Sequence, residues 1–86
     1  MRFQYSRHAE DEMTRRGIPR ELADGVLRQA QQVVPGHGSR KAYQSKVMFE
    51  DGRTFLLRLI VDEDLDPAVV VTIYRTSKIE KYWRNK

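Results

Sequence analysis

The densest chemistry lies at the C-terminal end. From Arg75 to Lys86, five cations (Arg75, Lys78, Lys81, Arg84 and Lys86) stand against one acid, Glu80. Hydroxyls at Thr76 and Ser77 and rings at Tyr82 and Trp83 lie among them. Such a mixture suits a polyanion, nucleic acid first. Read as a short helix, this stretch would let Ser77 cap it and present backbone N–H groups to a phosphate. Lys78 and Tyr82, four apart, would then share a face, with Lys81, Arg84 and Lys86 as solvated tail.

Upstream, Arg58 stands mid-strand between Leu56 and Ile60, where a cation is costly unless its face is open or its charge is paired. It reads either as a phosphate ligand or as half of a salt bridge across the sheet. Lys46 and Tyr74 can share its face, Tyr74 as a stacking platform, a proton donor or an ordinary sheet tyrosine. His8 can exchange protons near neutrality, or it can pair with Glu12 and fix a helix start. His37, between Gly36 and Gly38, reads as a solvated loop residue.

Other chemistries are poorly served. There is no cysteine for a disulfide or a thiolate zinc site. Asp62, Asp64 and Asp66 alternate as in a calcium loop, but Pro67 replaces the required glycine and Ile73 the bidentate Glu. No phosphate-binding glycine loop, dinucleotide fingerprint or nucleophile elbow occurs, so neither metal nor cofactor is expected. No apolar run approaches the roughly 20 residues of a membrane span, and the N-terminus lacks a signal-peptide pattern. A cytoplasmic protein is expected.

The net charge of +4 is unevenly spread. Residues 1–32 hold six Lys/Arg and five Asp/Glu, whereas 33–58 hold five cations against Glu50 and Asp51. Four acids crowd into 62–66. The excess positive charge thus belongs to the strands and the tail that must position the residues above.

Eighty-six residues make one domain, 1–86. Arg2 to Tyr5 alternates enough for a short edge strand. Ser6 is placed as an N-cap, with Glu10, Asp11 and Glu12 near the positive end of the helix dipole. Ala9 and Met13 share the buried side, Gly17 ends this helix and Pro19 starts the next. Leu22, Val26 and Ala30, widened by Ala23 and Leu27, stripe the second helix to about Gln32. Pro35 to Ser39 is a loop by composition. Two alternating strands, Tyr43 to Phe49 and Phe55 to Val61, flank the hairpin signal Asp51-Gly52. Val69 to Tyr74, β-branched or aromatic throughout, make the last strand.

The expected fold is α+β: two N-terminal helices on one face of a three- to four-stranded antiparallel sheet, then a short basic C-terminal tail or helix. Alternation places Val47, Phe49, Phe55, Leu57, Leu59, Val69, Val71 and Ile73 against the helices. The other face then shows Gln44, Lys46, Arg58, Thr72 and Tyr74 over an apolar floor of Leu56, Ile60 and Val70.

Tyr5-Ser6-Arg7-His8-Ala9, Met13, Arg16-Gly17-Ile18 and the Val-Thr-Ile-Tyr strand at 71–74 resemble the DUF4258 domain family over nearly the whole chain. That family is similar to ribonucleases of the barnase–EndoU–colicin–RelE type, and its members are commonly regarded as toxins of toxin–antitoxin pairs. The resemblance implies a helix-backed sheet whose open face cleaves RNA, free or as ribosome-associated mRNA, with an antitoxin protein as partner. Metal-free cleavage needs a base for the 2′-hydroxyl, cations for the phosphorane and an acid for the leaving 5′-oxygen. On that expectation His8, which falls on the Ser-x-His-Ala motif, Arg58, Tyr74 and Lys78 are catalytic candidates. Lys46, Arg75, Ser77 and Tyr82 are the RNA-binding candidates. Two other classes stay open, a non-catalytic RNA-binding module and a protein-interaction domain whose cationic face takes an acidic segment.

Overall fold

A computed structural model of the protein describes residues 2–85, so Lys86 of the basic tail lies outside the described residues. Ser6 does start the first helix. Its Oγ accepts from the Ala9 N–H at 3.0 Å, and α1 runs Arg7–Arg16. Gly17 closes it at φ 65°, a left-handed conformation that costs glycine nothing, while Ile18 N–H reaches back to the Met13 carbonyl. The next helix, α2, spans Arg20–Gln29 directly after Pro19.

The sheet has five strands in the order β1-β5-β4-β3-β2. They are β1 Phe3–Tyr5, β2 Gln32–Pro35, β3 Arg40–Met48, β4 Thr54–Asp62 and β5 Ala68–Thr76. A short helix α3, Ile79–Tyr82, follows. The α+β class stands, but the sheet is larger than expected and mixed, because β1 pairs with β5 in parallel. The second helix also stops at Gln29 rather than Gln32. Val33 and Val34 are β-branched, and pairing with β3 makes them a strand. Pro35 lacks an N–H to donate, which an edge strand such as β2 tolerates.

The β3–β4 hairpin turns where Asp51-Gly52 predicts. Phe49 N–H donates to the Arg53 carbonyl at 3.0 Å, and Gly52 has φ 81°. In the β4–β5 pair Ile60 faces Thr72 but Val61 faces Val70, so Val71 is an extra residue, a β-bulge. The bulge reverses the expected facing of one segment. Val70, expected on the helix-free face, is fully buried in the main core, and Val69 and Val71 are only half-buried.

That core packs Ala9, Met13, Ala23, Val26 and Leu27 of the helices on Leu57, Leu59, Val61 and Ile73 of the sheet. Phe49 joins it, with Val47 and Phe55 packed against its border, as alternation requires. Among the described residues no helix is long and apolar enough to cross a membrane.

Candidate functional site

The sheet face turned away from α1 and α2 carries a continuous polar row. Register sets Gln32 opposite Gln44, Gln44 opposite Arg58, and Arg58 opposite Tyr74, one residue from each of four strands. Side chains directly opposite one another on one face lie close enough to bond, and these do. Arg58 Nε donates to Gln44 Oε1 at 2.8 Å, and one of its terminal nitrogens donates to the Tyr74 hydroxyl at 2.5 Å. Gln44 Nε2 donates to Gln32 Oε1 at 2.8 Å. Arg58 therefore lies on the helix-free face as expected, and it is held by amide and phenol oxygens rather than by a carboxylate. Burial raises the Tyr74 phenol above its ordinary range, while the charge of Arg58 pulls the other way. Its oxygen accepts from Arg58, so its own O–H must donate elsewhere.

The face is not bare, because the C-terminal segment crosses it. Gln44 Nε2 also donates to the Tyr82 carbonyl at 3.1 Å. The Gln32 amide pairs with the main chain of Arg84, donating to its carbonyl at 2.6 Å and accepting from its N–H at 3.1 Å. Lys46 Nζ lies 4.2 Å from the centre of the Trp83 ring, and the Arg58 guanidinium 4.2 Å from that of Tyr82. Cations over aromatic faces are attracted to the ring quadrupole. Gln44, bonded to this segment, and Leu56 of the expected apolar floor have no exposed surface.

A cavity of about 550 Å³ opens where the segment stops covering the sheet. Ala42 and Ile60 contribute its apolar lining, and Arg58, Tyr74 and Tyr82 line it beside them. The β2–β3 loop adds Gly36 and His37, and Arg40 at the start of β3 joins them. Arg58 is half-buried and borders this cavity, where its guanidinium can meet an anion. Cations, phenols and one imidazole suit a phosphate with its attached ring system, and they offer few oxygen ligands for a divalent metal.

Other candidates lie elsewhere. His8 Nε2 is 3.1 Å from the hydroxyl of Thr72, at the β5 edge of the same face. It does not pair with Glu12, whose carboxylate is taken by Arg15 at 2.6 Å and Arg16 at 2.8 Å. Those hydrogen bonds, that of Arg16 foremost, hold the Glu12 carboxyl below its usual range. Arg75 leaves the expected cluster altogether. It pairs opposite Leu57 on the helix side, its guanidinium 4.4 Å from the Phe49 ring and 4.7 Å from that of Phe55. Ser77 is exposed and caps nothing. Thr76 Oγ1 accepts from Lys78 N–H instead, and Lys78 holds the N-cap position of a four-residue helix without a side-chain bond. Lys78 is exposed, outside the cavity.

Three participants escape a reading from residue types, namely Gln32, His37 and Arg40. Each depends on β2 being a strand, because only then does the loop of 36–39 become a hairpin tip beside the sheet. The paired valines at 33 and 34 were the available signal.

Among models of known families, residues 5–75 match the domain of unknown function DUF4258. No curated protein and no solved structure matches the chain.

Proposed function

This chain belongs to the DUF4258 family, and from that premise we propose that it is a metal-independent endoribonuclease of the RelE-like kind. In this reading it acts in the cytoplasm as the toxin of a toxin–antitoxin pair. One observation carries the reading: Arg58, Tyr74 and Tyr82 line a single cavity with Arg40 and His37, on the sheet face opposite the helices. The Arg58 guanidinium can meet the phosphorane's charge, the rings offer faces to an unstacked base, and Arg40 at the start of β3 brings a further cation. Lys46 extends the positive surface along β3. Lys78 is an accessory RNA contact here, as is Ser77, while Arg75 contributes to folding.

The tethering of Arg58 by Gln44, Tyr74 and Tyr82 also favours a second reading, a module that binds RNA without cleaving it. In that case the arginine organises the face. The two separate in one experiment. The protein, purified free of any partner, is incubated with RNA in EDTA. Products ending in a 2′,3′-cyclic phosphate or 3′-phosphate, lost in Arg58→Ala, are the expected result. Binding without cleavage, on free RNA and on ribosomes alike, would leave the second reading in place.

A further inference from the structure

We propose that His37 is the group that takes the 2′-hydroxyl proton, an inference that rests on the ribonuclease reading above. The chain has two histidines. His8 carries the family motif, but its ring is engaged by Thr72 and it does not line the cavity. His37 does line it, together with Arg40, Arg58, Tyr74 and Tyr82, and is exposed.

The loop that presents His37 is closely built. Gly36 N–H donates to the Arg40 carbonyl at 2.9 Å, and Arg40 N–H donates to the His37 carbonyl at 3.1 Å. A Cβ on Gly36 would stand 3.1 Å from that Arg40 oxygen, tighter than nine in ten real contacts, so a side chain there would push on the Arg40 backbone. Gly38, at φ 60°, supplies the left-handed residue of the turn. Two glycines thus shape the backbone on either side of His37, whose imidazole borders the cavity.

The chemistry balances without a metal or a co-reactant. As the ribose 2′-oxygen attacks phosphorus, the neutral His37 imidazole accepts its proton. A P–O2′ bond forms and the P–O5′ bond breaks. The Tyr74 hydroxyl gives its proton to the departing 5′-oxygen, while Arg58 offsets charge on the non-bridging oxygens. Solvent then carries the proton from the His37 imidazolium back to the Tyr74 phenolate, leaving a 2′,3′-cyclic phosphate and a 5′-hydroxyl.

The test uses the full chain, with single-stranded RNA as substrate in EDTA. His37→Ala should lose about 10²–10⁴-fold in rate, the range for a general acid–base group, with RNA affinity within about twofold of wild type. Free imidazole should restore part of the activity of His37→Gly, which a purely structural role would not allow. If wild type cleaves and His37→Ala keeps its rate, the inference is overturned alone. The same follows if only His8→Ala is inactive. A wild-type chain that cleaves no RNA overturns the ribonuclease reading and this inference with it.

Discussion

Gln44 shows how one side chain holds the candidate site. It is fully buried, and its amide bonds Arg58, Gln32 and the Tyr82 carbonyl at once. Gln44→Leu keeps the volume but leaves those partners facing a methyl group, at a cost of about 1–3 kcal/mol. Urea unfolding should show that loss, and RNA affinity should fall because Arg58 is no longer aimed. A second residue-scale prediction concerns Tyr43, whose hydroxyl donates to Glu63. Burial, with that hydrogen bond and the charge of Glu63, pushes the phenol up to about 12 from 10.0. The folded state therefore binds this proton more tightly than the unfolded state. Its contribution is complete below about pH 10 and disappears as pH rises toward about 12. Unfolding free energies measured across that interval should decline, and less steeply in Tyr43→Phe. Tyr5, bonded to Asp24 and also raised, continues to contribute to the decline. Arg58 and Tyr74 could be singled out in the sequence because a mid-strand cation demands an explanation. Gln44 could not, since an uncharged amide gives no sign of whether water or protein satisfies it.

At the scale of elements, what was legible is what local physics decides. Ser6 and Gly17 bound α1 because capping and left-handed φ are properties of single residues, and Asp51-Gly52 marks its turn for the same reason. The bulge at Val71, the parallel pairing of β1 and the strand at Gln32–Pro35 all depend on partners distant in sequence. The C-terminal segment is the clearest instance. Its basic composition reads as a tail in solvent, yet Gln32 grips the main chain of Arg84 from 52 residues away. Gln32→Ala removes both contacts and should release that end of the segment. Amide hydrogen exchange at Arg84 should then quicken by about 5-fold, the effect of losing roughly 1 kcal/mol. Amides in the middle of α2 should be unaffected. Equal acceleration in α2 would mean that the variant weakens the whole fold.

Over the whole molecule, charge and architecture divide the surface in two. The helix-covered side bears pairs that consume their own charge, Glu12 with Arg15 and Arg16, and Glu10 with Arg20 at 2.7 Å. On the other side Arg58 and Lys46 meet amides and rings instead of carboxylates, so their positive charge is not cancelled. A polyanion approaching from solution is drawn to that side. Single-stranded RNA should therefore bind with an affinity that falls steeply with salt, each neutralised phosphate contributing about 0.7 to the log–log slope. Arg58→Ala should weaken binding and flatten the slope by about one such contact. Lys78→Ala, at the start of the crossing segment, should do the same to a smaller degree. Arg28→Ala, on α2, removes the same unit charge from the opposite side and should leave the slope unchanged. Net charge falls equally in all three variants, so the comparison separates position from quantity. If the three slopes coincide, RNA is meeting diffuse charge, and the sheet face has no special claim as its binding surface.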